Sequence, residues 1–431
     1  MGPPVFSKRF EVCRTVHGPV VARTDDGTRA RSVQYAMFKR ELETVEGVLQ
    51  WNKADSFAEF AAGVADVTWN ENVTYAGADG YIGYWHPGLY PRRDPKGDQR
   101  LPLPGTGAFD HQGLLPFDRM PHAADPAQGF LANWNNKPAR GWYDGEGISS
   151  TSRPGGEGAR VTSIRDRLRR AEGLTFAGLQ RLEQQAGITD HRARDYVPVL
   201  ARLVDAGDLT SRQRQALRLI VGWDGIHYGE GPAAPDDNRT DPPPATIFSE
   251  VVTAVRDELF ADLPKELLDR QSDMASHVYD VSAADNLALR ILDPGHSGLQ
   301  PSRDYTGGRT TAQVLRAALS VALDRLADEF GSMDLSDYRR PHPRSEVCSL
   351  TNGVIGPCVT MPYQDRGSWI HIVDFGQTTP DGGKDHDPDN GGDAGDEDDD
   401  RRPVLPSTGT RIAAILGLIA LALGIWLFLR R

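Results

Sequence analysis

Two adjacent asparagines, Asn135 and Asn136, lie in a stretch dense in glycine and proline and are followed by Lys137-Pro138. A carboxamide N–H is a neutral donor, so it stabilises charge developing on a tetrahedral oxyanion without forming a salt bridge. In such a loop an asparagine otherwise caps backbone groups or closes an Asx-turn, and Asn136 is assigned that structural work. Arg160 stands at the start of the first long predicted helix, a place where an arginine ordinarily faces solvent. His17, ahead of Gly18-Pro19, reads as a turn-stabilising residue rather than a base. Cys348 and Cys358 flank the glycine-containing turn Thr351–Pro357. They either pair across it, as an exported location permits, or stand as two buried thiols; Cys13 is then left over. The run from Asp381 to Asp400 is rich in carboxylates but lacks the spaced ligands and turn glycine of a calcium loop. No metal-ligand set is assigned.

The elements that must hold these residues follow from pattern. Phe10–Arg23 reads as two short strands and Ser32–Phe38 as a third. Glu41–Trp51 and Ser56–Val67 have helical apolar spacing, with Ser56 as the N-cap ahead of Phe57. Asn72–Tyr84 reads as a hairpin turning at Ala78-Asp79-Gly80. Residues 87–126, rich in Pro and Gly, form a long ordered loop. Helices are predicted at Thr162–Glu172, Thr175–Ala186, Asp190–Ala206, Ser211–Val221 with Ser211 as cap, Ala245–Leu263, Ala284–Leu292 and Thr310–Phe330. The last presents a broad apolar face through Val314, Leu315, Ala318, Leu319, Ala322 and Leu326. Arg344–Phe375 returns to strand composition. This order of strands, a loop-rich middle, a helical lobe over about 162–335 and returning strands is α+β rather than a simple parallel-sheet enzyme. The densest basic run, Arg165, Arg167, Arg169 and Arg170, is broken by Asp166 and Leu168 and reads as a solvated helix face, so no nucleic acid partner is expected.

The chain has 431 residues, enough for two or three domains and a large core. Its net charge is −12, of which −9 falls between Asp381 and Asp400, with ten acidic residues and one lysine, leaving −3 for the rest. Residues 376–404 cannot bury enough apolar surface to offset their ordering entropy and are read as a disordered, self-repelling spacer. Beyond it, Leu405, Pro406, Ser407, Thr408 and Gly409 precede an apolar run over 412–429, and the chain closes on Arg430-Arg431. That run would make about 27 Å of helix, close to the thickness of a bilayer core, with the arginines on the cytoplasmic side. The order of pentapeptide, apolar span and basic stop resembles a cell-wall sorting signal of the sortase type. The resemblance implies cleavage between Thr408 and Gly409, with sortase and peptidoglycan as partners. It also implies a bacterial surface location, membrane-inserted and then wall-anchored; the plainer alternative is a C-terminal membrane anchor. The start, Met1-Gly2-Pro3-Pro4-Val5-Phe6, is neither a secretory signal nor a myristoylation site. The expectation is that the beginning of the protein is missing.

The most specific text lies between residues 69 and 138. It contains Tyr75-Ala76, Asp79-Gly80-Tyr81-Ile82-Gly83-Tyr84, Gly88-Leu89-Tyr90-Pro91 and Arg100-Leu101-Pro102-Leu103-Pro104-Gly105-Thr106-Gly107. It continues with Gly113-Leu114-Leu115-Pro116-Phe117, Gly129-Phe130-Leu131-Ala132-Asn133-Trp134-Asn135-Asn136 and Lys137-Pro138. With Arg14-Thr15-Val16-His17-Gly18-Pro19 upstream and Gly158-Ala159-Arg160 downstream, this closely resembles the penicillin acylase (penicillin amidase) family. The likeness fades but persists to about Phe375.

The resemblance implies an N-terminal nucleophile hydrolase built as a four-layer αββα sandwich, here incomplete. It implies cleavage of linear amide C–N bonds in small acyl-amide substrates such as penicillins. The family's nucleophile is a serine whose own α-amino group is its base, exposed when a precursor cuts itself into a small and a large subunit. Asn135 then matches the oxyanion asparagine, and Arg160 matches an arginine that organises the site. Asp144 is a loose match to a calcium ligand of the complete family enzyme; no other cofactor is implied. Departures accompany the matches. No Ser-Asn dipeptide of the kind that opens the large subunit occurs in the chain, and Gly77 stands where Asp is common. The expectation is a portion of the large subunit, about half the family's length, lacking the small subunit and the nucleophile and inactive alone. The alternative is a non-catalytic, wall-displayed binding protein or a degenerate remnant on the same scaffold.

Overall fold

The computed structural model describes residues 12–375 apart from 99–100, 135, 140–141, 143–156, 206–207, 229–237, 265–282, 298–300, 352–353 and 365–371. The chain divides into two compact units. One comprises the residues up to Leu174 with His191–Leu203 and Val252–Ala318; the other comprises Thr175–Asp190, Val204–Val251 and the residues from Leu319 onward.

The first unit opens with β1 (Arg14–Thr15), β2 (Gly18–Arg23) and β3 (Ala30–Ser32), an antiparallel sheet in that order. The strand expected over Ser32–Phe38 does not form. Val33 N–H makes one more ladder-like bond, to Pro19 O at 3.0 Å. The chain then turns, with Lys39 at φ 67. The cause is visible in the side chains: Val33, Tyr35 and Phe38 are all exposed, so no buried face rewards an extended run.

Helices α1 (Glu43–Trp51) and α2 (Phe57–Ala65) follow. Ser56 caps α2 by accepting from Glu59 N–H, as expected for a serine ahead of an apolar period. The two helices approach closely at Gly47 and Gly63, where a Cβ on Gly47 would stand 2.6 Å from Gly63 O. Helix α2 turns Phe57 and Phe60 onto the hairpin of β4 (Val73–Ala76) and β5 (Ile82–Trp85). Phe57 meets Tyr75 edge-on at 5.4 Å and Trp85 at 5.2 Å, and Phe60 meets Tyr75 at 5.0 Å. Such pairs add to the burial of large rings. Gly83 is obligatory under them, since a Cβ there would fall 2.5 Å from the Trp85 ring and 2.6 Å from Phe57. The hairpin turns through Gly80 at φ 88, with Asp79 Oδ1 accepting from Tyr81 N–H, so Gly77 does not prevent it closing. The stretch expected as loop over 87–126 contributes a strand, β6 (His122–Ala124). It pairs with β5 through Gly83↔Ala124 and Trp85↔His122.

From Glu157 to Phe330 the described elements are all helices: α3 (Glu157–Arg170), α4 (Phe176–Gly187), α5 (Ala193–Ala201), α6 (Ser211–Val221), α7 (Pro243–Phe260), α8 (Ala283–Leu292), α9 (Pro294–Ser297) and α10 (Thr311–Phe330). Thr175 caps α4. The cap of α6 is Thr210, one residue before the expected Ser211, and it forms a full capping box with Gln213. Helix α5 starts later than expected because Asp190 N–H is committed to Gly225 O at 2.8 Å, outside any helix. Within the first unit, Tyr196 O–H donates to Asp285 O at 2.7 Å beside buried Val255, Leu259 and Leu292. Within the second, Arg212 donates to Leu323 O and to the Tyr338 hydroxyl, and Gln213 donates to Ser320 at 2.7 Å.

The final strands β7 (Arg344–Thr351) and β8 (Val354–Pro362) pair antiparallel with Cys348 opposite Cys358, and the structure joins these as a disulfide, S–S 2.01 Å. Among the described residues the strand composition read as far as Phe375 becomes a ladder only to Pro362. Two isolated antiparallel bridges, Thr189↔Ile226 and Thr240↔Pro341, complete the second unit. Each sets an Asp and a His on the residues just after it: Asp190 with His227, and Asp241 with His342. The described residues form sheets of three, three and two strands. The spacer 376–404, the motif Leu405–Gly409 and the apolar run 412–429 lie outside the described residues. Among the described residues no helix is long and apolar enough to cross a membrane.

Candidate active site

The segment carrying the asparagine pair is held from a distance by one side chain. Asn72, just before β4, donates through its amide nitrogen to Asn133 Oδ1 at 3.1 Å and to Asn136 O at 3.0 Å. Its amide oxygen accepts from the Tyr84 hydroxyl at 2.5 Å and from His86 Nδ1 at 3.1 Å. The two donors and two acceptor positions of this carboxamide are thus all used. Asn72 Oδ1 can only accept, so His86 Nδ1 carries a hydrogen, and Nε2 lies 2.5 Å from the Tyr90 hydroxyl. His86 and Tyr90 are buried, and Trp142 packs edge-on against Tyr90 at 5.0 Å. Strand β5 points Tyr84 toward Asn72, and the turn after it delivers His86, whose N–H is bound by Pro121 O at 2.9 Å.

The loop also closes on itself. Asn136 Oδ1 accepts from Trp134 N–H at 3.0 Å, a side-chain bond reaching two residues back that satisfies a backbone donor, the structural work expected of Asn136. Trp134 meets the His191 ring edge-on at 5.3 Å.

Burial pushes the half-buried Glu71 carboxyl above the usual range, only partly offset by the N–H of Asn72. Burial, with the neighbouring Glu71, pushes the Tyr84 hydroxyl well up. Tyr84 therefore stays a phenol and a donor across the physiological range. The groups that set the loop are a carboxamide, two phenols and an imidazole.

The residues singled out from sequence are reached unevenly. Asn135 lies between Trp134 and Asn136, both held as above, but is itself outside the described residues. Arg160 falls in the first turn of α3 by its backbone, and its side chain is outside what the structure describes, as are Asp144 and Leu405–Gly409. His17 is half-buried, with Nε2 2.8 Å from Asp110 Oδ1 and its backbone N–H on Thr15 Oγ1 at 3.2 Å, a turn braced from afar. Sequence reasoning missed Asn72, His86 and Tyr90. The first reads as an ordinary residue at a strand entry, and its partners are 12 to 64 positions away. The one available signal was the density of Tyr, His and Asn between 70 and 90.

Comparison with known proteins gives concordant results. The model of the family described as penicillin amidase matches residues 3–386. Penicillin G acylase of Escherichia coli is 26% identical over 396 residues, which is 87% of this chain and 45% of that protein. Among solved structures, a thermostable penicillin G acylase from Alcaligenes faecalis superposes with a TM-score of 0.65 at 23% identity, covering 78% of this chain and 60% of that one. The mixed helix and strand architecture is therefore the penicillin acylase fold. The chain spans between about half and three-fifths of the length of these two relatives.

Proposed function

The chain belongs to the penicillin amidase family, and from that premise we propose that it is part of an amidohydrolase cleaving linear amide C–N bonds of N-acyl compounds such as penicillins. The observation that carries this reading is the Asn72 network. It ties the Asn133 side chain and the Asn136 carbonyl, on either side of Asn135, to one carboxamide, and so holds the loop as an oxyanion donor requires. A pre-set amide stabilises the charge of a tetrahedral intermediate without reorganising, and neighbouring neutral groups leave its dipole unspent.

In this reading a serine attacks the amide carbonyl, giving up its proton to its own α-amino group. Asn135 and a backbone N–H hold the oxyanion. The proton passes to the departing amine as the C–N bond breaks, and water then releases the acyl group. Arg160 positions Asn135 and the serine. The nucleophile is supplied by sequence outside this chain, in keeping with the absence of a Ser-Asn dipeptide from it, and the architecture is an incomplete four-layer sandwich. The same proposal places the protein at the wall of a bacterium through Leu405–Gly409 and the apolar run 412–429. Thr408→Ala would then leave it unlinked to peptidoglycan.

The test uses a chromogenic phenylacetyl anilide. The purified chain gives no turnover alone; turnover that is lost in Asn135→Ala would overturn the assignment of the nucleophile. In an assembly completed by the small subunit and serine-bearing segment of a relative, Asn135→Ala lowers kcat by about 10²–10³. Unchanged kcat would remove Asn135 from the chemistry.

A further inference from the structure

We propose that His227, Asp241 and His342 form a binding site for a divalent transition-metal ion of the zinc(II) type. The three residues are buried, at 1%, 8% and 4% exposure. Each offers a ligand atom, and these atoms all lie within 4.8 Å of one another. The Nδ1 atoms of His227 and His342 stand 3.2 and 2.6 Å from the same oxygen of Asp241. A tetrahedral ion with bonds of about 2.0–2.2 Å spaces its ligand atoms by about 3.3–3.5 Å. The His227 spacing already meets this, and the His342 contact has to open by less than about 1 Å. Two imidazoles and one carboxylate select zinc, cobalt or nickel over calcium or magnesium, which take oxygen ligands.

The outer contacts are those of a built site. His342 Nε2 donates to the backbone carbonyl of Tyr363 at 3.0 Å, and His227 Nε2 faces Asp190 Oδ2 at 3.4 Å. A carboxylate or carbonyl on the far nitrogen is what orients a metal-bound imidazole, and here it turns both Nδ1 atoms toward Asp241. The backbone is pre-arranged. Asp241 N–H donates to Arg340 O at 2.9 Å and His342 N–H to Arg239 O at 2.8 Å, while His227 N–H donates to Ile188 O at 3.0 Å. Asp190 and Asp241 bring two carboxylates into one buried locus, and a single divalent ion offsets both formal charges. The ion would tie the bridge at Ile226 to the bridge at Pro341.

The probes are zinc(II) and cobalt(II) salts added to the chelator-stripped full chain. The expected result is one equivalent of zinc retained after desalting and a raised Tm. Cobalt(II) should give intense d–d bands without a thiolate charge-transfer band. Asp241→Asn and His342→Gln lose that equivalent, Cys13→Ser keeps it, and Asp190→Asn binds about 10–100-fold more weakly. No retained equivalent in the unmodified chain, or retention unchanged in both ligand variants, would overturn the site. Should those variants fail to fold, the cobalt spectrum of the unmodified chain decides. Weak octahedral bands, as an acidic tail would give, or no bands at all, count against the site.

Discussion

Around the 133–136 loop the holding groups are a carboxamide, two phenols and an imidazole; around His227 and His342 they are two carboxylates and two imidazoles. Both clusters join segments far apart in sequence, and both are fixed by backbone bonds at their edges. They differ in what removal of one member leaves behind. A neutral hydrogen bond contributes about 1 kcal/mol net, so its loss is a local cost. A charge stranded in a buried site costs several times that. The carboxamide cluster therefore suits the loop proposed to carry the oxyanion donor, while the charged one suits a fixed structural joint.

Asp241→Ala should break the contrast most visibly, costing about 3–5 kcal/mol of unfolding free energy by urea titration in chelator, because two imidazoles lose their shared partner. This cost has two pH limits. The Asp241 carboxyl is buried, which raises its pKa, but His227 and His342 outweigh burial and hold it below the usual range. Its contribution is present above about pH 4 and is lost as pH falls through the lowered folded value. Burial opposes charge on His227, yet Asp190 and Asp241 keep its pKa above the usual range. That contribution is present below about pH 6.5 and disappears as pH rises through the raised value. A loss under about 1 kcal/mol would make the two clusters equivalent.

Asn72→Ala comes next, at about 1–3 kcal/mol, since Tyr84, His86 and the carbonyl of Asn136 each lose a partner. Its cost should be nearly flat between pH 5 and 8, which sharpens the comparison; a pH dependence like that of Asp241→Ala would erase it. Thr210→Ala gives a reference for a purely local change. Loss of the capping box costs about 1 kcal/mol by thermal unfolding, independent of either cluster.

Glu71→Gln has the smallest effect, and its sign is the informative part. The folded carboxyl binds its proton more tightly than the unfolded one. Wild-type stability therefore falls as pH rises through the ordinary carboxylate range to the raised folded value, and the penalty persists above it. The variant should be the more stable of the two at pH 7 and equal to wild type in acid. A variant less stable at pH 7 would mean that Glu71 is held as a needed anion.

Elements with local signals were legible in the sequence. Ser56 announced its helix because a cap and an apolar period are both short-range. The hairpin at Asp79-Gly80 was legible for the same reason. Strand β6 was not, because its only reward is pairing with β5 some forty residues back, and the Pro- and Gly-rich text around it reads as loop. The run Ser32–Phe38 had strand composition but no partner face to bury it. At the candidate site, the asparagine pair and Asn136's capping bond could be read from the loop's own residues. Asn72 could not, nor could the joining of two Thr-Asp steps, 189–190 and 240–241, with His227 and His342. Those depend on contacts that only the fold makes.

The Asn72 carboxamide also has a consequence for the order of assembly. Its bonds to Asn133 and Asn136 close loops of 61 and 64 residues, whereas the capped helices and the Asp79-Gly80 hairpin close within a few. Long closures are entered after short ones, so this network belongs to the late stage of folding. Damage at Asn72 should hasten unfolding and leave the folding rate almost unchanged. The loop that bears the candidate oxyanion donor is then set only after the capped helices and the hairpin beside it.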